Sequence, residues 1–156
     1  MKTLLTLTMA ALLAAPAIAR DPGTYKQDVR LWYDAFSRKE PALLDRVLAP
    51  TWVDIPSPPG LPPGPEAAKM LLARLTEAFP DLNLVVHDVI QEGSKVVVRA
   101  TMSGTQKRDF AGIPARDRRM NIQVVDVHEF EGDKIARTWH TEDWMTGLRE
   151  LGAFER

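Results

Sequence analysis

The chain has 156 residues, 45% of them hydrophobic, with 20 basic against 21 acidic side chains and no cysteine. This length and composition are typical of one globular domain. The near-neutral net charge provides no excess of positive charge that would attract nucleic acid or an anionic membrane. The absence of cysteine excludes disulfides, thiolate catalysis and thiolate-bound zinc.

Residues 1–19 have the residue order of a secretory signal peptide. Lys2 precedes an apolar run rich in Leu and Ala, and Ala17-Ile18-Ala19 supplies the small residues of a cleavage site. The apolar run is too short to span a bilayer comfortably. We therefore expect cleavage before Arg20, no membrane attachment afterwards, and a single periplasmic or secreted domain over residues 20–156.

Helical patterns dominate the first half of this domain. Thr24 and Gln27 match a capping box, and the apolar residues after them recur at helical spacing: Val29, Trp32, Tyr33 and Phe36. A second helix is predicted from Pro41 to Pro50, and a third from Pro65 to Pro80. Between them, a short extended segment from Trp52 to Ile55 leads into the proline-rich loop PSPPGLPPGP.

Alternating patterns in the second half predict four long antiparallel strands, over residues 82–91 and 95–103 and in a hairpin about Glu131-Gly132-Asp133. A final helix from Met145 to Leu151 would be capped by Asp143. Helices on one side of such a sheet make an α+β domain, and strong sheet curvature would leave a conical pocket.

The candidate catalytic residues lie in the predicted hairpin about Glu131-Gly132-Asp133, called here the central hairpin. A turn centred near Asp133 places Asp126 opposite His140, with His128 near Thr138 and Val124 near Glu142. Since side chains alternate along a strand, Asp126, His128, His140 and Glu142 would share one face.

Two interpretations of the Asp126/His140 pair remain open at this point. The pair is either an acid/base dyad in which the carboxylate orients the imidazole, or a structural hydrogen bond between half-buried polar groups. A metal site is not expected, because ligands on one strand are spread apart and no second ligand cluster is visible. His87, alone on its strand, is interpreted as structural or exposed.

Four segments together resemble the SnoaL-like polyketide cyclase (ester cyclase) family of the NTF2-like superfamily: WYDAFSRKEPALLDRVLAPTWVDIPSPPG, GPEAAKMLLARLTEAFPDL, FAGIPARDRRM and FEGDKIARTWHTEDWMTGLRELG. The resemblance covers essentially the whole mature chain. It implies an NTF2-like cone, in which a strongly curved antiparallel sheet carries three helices over its concave face, and it implies a homodimer and no cofactor. The cyclases of this family perform an intramolecular aldol condensation, in which a pocket acid/base removes a proton next to a carbonyl group.

The resemblance also assigns positions. Asp54 falls on a pocket Asn of the cyclases, Asp126 on a pocket His, His140 on the catalytic Asp, and Val124 on a pocket Gln. The His/Asp pair is therefore present but swapped. We expect His140 and Asp126 to be catalytic, and the substrate to be bound by five further residues: Asp54, Trp52, Val124, His128 and Glu142.

The resulting hypothesis is an exported, cofactor-free lyase, isomerase, cyclase or hydrolase that acts on a small, largely apolar carbonyl compound. The alternative is a non-catalytic module that uses the same cone to bind a hydrophobic small molecule or a partner chain. In either case the outer strand face, with Val125, Val127 and Trp139, predicts a homodimer if the C-terminal segment leaves it uncovered.

Overall fold

A computed structural model describes residues 25–155 of the chain. The predicted signal peptide, its cleavage before Arg20 and the capping role of Thr24 lie outside these residues. The described elements, in chain order, are α1 Tyr25–Asp28, α2 Arg30–Arg38, α3 Ala42–Val47, β1 Leu48–Ile55, α4 Pro65–Ala78, β2 Asn83–Glu92, β3 Lys95–Thr105, β4 Arg119–Glu131, β5 Lys134–Glu142 and α5 Trp144–Glu150.

The strands form one five-stranded sheet in the order β1-β5-β4-β3-β2. The pairs β2/β3, β3/β4 and β4/β5 are antiparallel, as predicted. The expectation of a wholly antiparallel sheet is wrong, because β1 pairs with β5 in parallel, with Asp54 beside Thr138 and Ile55 beside Trp139. The segment from Trp52 to Ile55, predicted to be a short extended segment, is thus part of edge strand β1, and its Asp54 lines the cavity described below.

Two helix boundaries also differ from the prediction. The first helix is interrupted at Val29, between α1 and α2, and the second ends at Val47 rather than at Pro50. Strand β1 has already begun at Leu48, so Pro50 lies within a strand. Proline is tolerated there because β1 is at the sheet edge, where a missing N–H breaks no inner hydrogen-bond ladder.

The helices pack on one face of the sheet and enclose the hydrophobic core. Along β3 and β4 every second residue is buried, from Val96 to Met102 and from Met120 to Phe130, which is the period expected of strands with one covered face. Register shifts between Val86 and Asp88 and between Glu129 and Phe130 are irregularities of the kind that bend a strand.

The predicted C-terminal helix is present as α5. Its N-cap is Asp143, whose side chain accepts a hydrogen bond from the Thr146 amide at 3.1 Å. Gly147 of α5 lies against Ile122 and Met120, two buried residues of β4. The C-terminal helix therefore packs on the inner side of the sheet.

Candidate active site

A cavity of about 330 Å³ lies between the inner sheet face and the helices. Its size is at the lower end of the range for small-molecule sites. Most of its wall is apolar and aromatic, and is contributed by Trp32, Phe36, Leu71, Leu75, Phe110 and Trp144. A ligand with a hydrophobic body fits such a wall.

The polar part of the wall comes from the central hairpin and β1. The predicted register is confirmed, since Asp126 pairs with His140, His128 with Thr138 and Val124 with Glu142. Asp126, His140, Glu142 and Val124 line the cavity together with Asp54. Five of the seven residues that we proposed from the sequence therefore meet at one cavity.

The carboxylate next to His140 is Asp54, not Asp126. Nδ1 of His140 lies 3.3 Å from Oδ1 of Asp54. Asp54 is only 4% exposed, so it lies inside the cavity wall. Burial raises the pKa of Asp54 above its usual value, His140 opposes this rise, and Glu142 adds to it.

The expected direct hydrogen bond between Asp126 and His140 is absent from residues 25–155. Oδ2 of Asp126 instead accepts a hydrogen bond of 2.6 Å from the hydroxyl of Tyr33, on α2. Burial raises the pKa of Asp126 to about 7, although the Tyr33 hydrogen bond and nearby His140 lower it. At neutral pH this side chain is therefore divided between its acid and its carboxylate form.

His128 and Trp52 lie behind the cavity wall rather than on it. His128 is fully buried, with Nε2 at 3.0 Å from the Tyr33 hydroxyl and Nδ1 at 3.0 Å from Oγ1 of Thr138. Trp52 donates its indole N–H to the same Thr138 oxygen at 3.0 Å. Burial, followed by the proximity of His140, lowers the pKa of His128 to about 3, which keeps its imidazole neutral. Direct contact of these two residues with a ligand, as predicted from the sequence, does not fit this position.

Glu142 is fixed by an aromatic neighbour. Its Oε2 accepts the indole N–H of Trp144 at 2.5 Å, and Trp144 packs on Phe110 with ring centroids 5.3 Å apart. Because β5 ends and α5 begins between these residues, the short connection at Asp143 brings the carboxylate and the indole to the same cavity wall.

Sequence reasoning missed two polar residues of the site. The spacing of Tyr33 indicates only the apolar face of a helix and does not show that its hydroxyl meets Asp126. Arg74, on α4, lines the cavity and is exposed. Within the described part of the chain its guanidinium makes no ion pair, so it is free to meet an oxygen of a ligand.

Among residues 25–155, no three His, Asp or Glu side chains converge in a way that could hold a metal ion. In the same range, none of the helices combines the length and apolar character needed to cross a bilayer.

An α+β fold with helices over one face of a five-stranded mixed sheet, and a cavity between them lined by carboxylate and imidazole side chains, is typical of the NTF2-like class. Residues 27–151 match the family model described as SnoaL-like polyketide cyclase. The chain therefore belongs to the SnoaL-like polyketide cyclase family.

Solved structures agree with this assignment. TsrD from Streptomyces laurentii is 30% identical, with a TM-score of 0.80 over 86% of this chain and 98% of TsrD. IdmH from Streptomyces antibioticus is 25% identical, with a TM-score of 0.70 over 81% of this chain and 96% of IdmH. A SnoaL-like polyketide cyclase from Agrobacterium tumefaciens shares the fold at 23% identity, with a TM-score of 0.67 over 81% of this chain and 98% of that one. No curated protein sequence gave a significant match.

Proposed function

We propose that the protein is an enzyme that needs no cofactor and performs acid/base chemistry on a small, largely apolar carbonyl compound. The observation that carries this proposal is the imidazole of His140, paired with buried Asp54 and facing the same cavity as Asp126. The cavity thus holds a base and a carboxyl group that is still partly protonated at neutral pH.

The reaction class follows from these two groups. The free ring nitrogen of His140 takes a proton from a carbon next to the carbonyl group, and the electron pair of the broken C–H bond moves onto the carbonyl oxygen. Asp54 stabilises the resulting imidazolium by charge attraction across 3.3 Å. Protonated Asp126 donates a hydrogen bond to the enolate oxygen, and the apolar wall excludes water. An enolate held in this way can be reprotonated, or can attack a second carbonyl carbon of the same molecule.

The roles of the two aspartates are therefore revised from the sequence hypothesis. Asp54 takes the orienting role that we expected of Asp126, and Asp126 becomes the candidate acid. The His/Asp partnership inferred from the family resemblance is kept, but its carboxylate comes from β1 instead of β4.

The test measures proton removal directly and needs no knowledge of the product. Small apolar ketones and keto esters are incubated with the protein in D2O, and exchange at the carbon next to the carbonyl group is followed by NMR. Wild type should accelerate exchange, and His140→Ala should reduce the acceleration by roughly a hundredfold or more while binding changes by only a few fold. The matched control is His87→Ala, because His87 is exposed on β2 and contacts Thr101, away from the cavity. Tight binding with no exchange in wild type would favour the non-catalytic binding module instead.

We also propose that the protein is an exported homodimer. Support for the dimer is the outer face of the sheet, where Val53, Val85 and Val125 are 46%, 46% and 40% exposed. Within residues 25–155, α5 packs on the inner side and leaves this face available to a second copy. Support for export remains the residue order of positions 1–19.

A further inference from the structure

Five buried polar side chains form an unbroken row behind the cavity wall. Nε1 of Trp52 lies 3.0 Å from Oγ1 of Thr138, which lies 3.0 Å from Nδ1 of His128. Nε2 of His128 lies 3.0 Å from the hydroxyl oxygen of Tyr33, which lies 2.6 Å from Oδ2 of Asp126. The row crosses from β1 through β5, β4 and α2, and returns to β4 at the cavity.

The hydrogen bonds of this row can run in only one direction if every donated hydrogen is to have an acceptor. An indole N–H can only donate, so Trp52 gives its hydrogen to Thr138. The hydroxyl hydrogen of Thr138 must then go to another acceptor, and its remaining partner within residues 25–155 is Nδ1 of His128. The nitrogen that accepts carries no hydrogen, so neutral His128 is protonated on Nε2.

The same reasoning continues to the cavity. Nε2–H of His128 donates to the oxygen of Tyr33, which leaves the Tyr33 hydroxyl hydrogen for Oδ2 of Asp126. Burial and the neighbouring carboxylate hold the pKa of Tyr33 well above its usual value, so this hydrogen stays on the hydroxyl. The opposite direction would leave the Thr138 hydroxyl hydrogen without an acceptor in the described chain, which is unfavourable for a buried donor.

We propose that Trp52, Thr138, His128 and Tyr33 are positioning residues that form a one-way chain of hydrogen-bond donors ending on Oδ2 of Asp126, so that Oδ1 is the oxygen that exchanges a proton with the ligand. Each bond in such a chain polarises the next, which strengthens the final bond to Asp126. Because Tyr33 occupies Oδ2, the proton of the acid form is held on Oδ1. Among residues 25–155, both oxygens of Asp54 are fully buried and have no hydrogen-bond partner. Oδ1 of Asp126 does not belong to this group of atoms.

The role given to Oδ1 rests on the proposed function, whereas the direction of the chain does not. The first experiment therefore needs no substrate: the tautomer of His128 is read from the ¹⁵N resonances of its ring in the wild-type protein. The expected result is a neutral ring protonated on Nε2 across the neutral pH range. A ring protonated on Nδ1, or a charged ring, would overturn the proposal even if the enzyme hypothesis is correct.

The second experiment tests the end of the chain. Tyr33→Phe removes the final donor, so the pKa of Asp126, followed by its side-chain ¹³C resonance, should rise by about one unit. The other titratable or charged groups that face Asp126 are unchanged in this variant; they are His128, His140, Glu142, Asp54 and Arg74.

The matched control is Tyr25→Phe, which makes the same chemical change at the other tyrosine of the chain. Tyr25 donates to the Gly132 carbonyl and stacks on Phe130, outside the cavity, so the titration of Asp126 should not change. An Asp126 titration that is the same in Tyr33→Phe and wild type would overturn the proposal. If Tyr33→Phe does not fold, the tautomer of His128 in wild type decides the question alone.

Discussion

Replacing Asp126 with Asn should stabilise the protein at neutral and alkaline pH. Asp126 is 3% exposed, and its burial is the main reason that its pKa rises from 3.8 to about 7. The charged form is therefore unfavourable in the folded protein. Asn has the same shape and accepts the Tyr33 hydrogen bond through its amide oxygen, but it never ionises.

The sign and size of the effect follow from proton linkage. Folded Asp126 binds its proton more tightly than the unfolded chain does, so the wild-type protein loses stability as pH rises from about 4 to about 7. A difference of about three pKa units at about 1.4 kcal/mol each sets an upper limit of about 4 kcal/mol above pH 7. We expect Asp126→Asn to raise the free energy of unfolding by about 2 to 4 kcal/mol at pH 8.5 and by much less at pH 4.

Urea unfolding followed by tryptophan fluorescence measures this difference at the two pH values. Asp133→Asn is the control, because Asp133 is exposed in the turn between β4 and β5, and its replacement should change stability by less than about 0.5 kcal/mol. A stability difference for Asp126→Asn that is equal at pH 4 and pH 8.5 would refute the reasoning. It would mean that Asp126 ionises in the folded protein as readily as in the unfolded chain.

Four further outcomes are expected. Gly104→Ala should lower the free energy of unfolding by about 1 to 3 kcal/mol in urea, because the added Cβ would lie 2.9 Å from Cβ of Phe79; an unchanged midpoint would contradict that contact. Arg74→Met should weaken binding of a carbonyl ligand by about tenfold in a calorimetric titration, the size of one charge-assisted hydrogen bond, and undiminished affinity would remove Arg74 from the site. Val125→Lys should convert the dimer to a monomer in light scattering, since it places a charge on the outer sheet face; a wild-type monomer at micromolar concentration would defeat the dimer proposal. Intact-mass measurement of the exported protein should give a chain that begins at Arg20, whereas a mass that retains residues 1–19 would defeat the export proposal.

The hairpin is the part of the site that the sequence predicts well. The two-residue turn at Gly132-Asp133 pairs Glu131 with Lys134, and the register shift between Glu129 and Phe130 then brings Asp126 opposite His140. The inner face of the hairpin is buried, so a slip of a whole strand by one residue would turn all of its buried apolar side chains toward solvent. The predicted turn centre at Asp133 gives the same pairs, because the one-residue shift compensates for a turn that is one residue tighter, and four polar residues therefore lie on the predicted face.

The partners of these residues could not be predicted in the same way. Asp54 reaches His140 only because β1 pairs in parallel with β5, and no local pattern in either segment specifies that pairing. The helical spacing of Tyr33 shows that it lies on the buried side of α2. The spacing does not show whether its hydroxyl meets a carboxylate or an apolar wall. The predicted helix end at Pro50 is wrong, because a proline is compatible with an edge strand as well as with a helix end, and Pro50 lies in β1.

The parallel pairing of β1 with β5 has a consequence for the order in which the molecule assembles. Strands β2 to β5 are neighbours in both sequence and space, except for the loop before β4, so their contacts close short segments of chain. The pairing of Asp54 in β1 with Thr138 in β5 closes a segment of 84 residues and therefore has a larger loop-closure entropy cost. We expect the segment from α1 to β1, with Tyr33 and Asp54, to open more readily than the hairpin with His140, which hydrogen exchange would show as lower protection of its amides. A ligand held between the two parts would then slow exchange most strongly in the N-terminal segment.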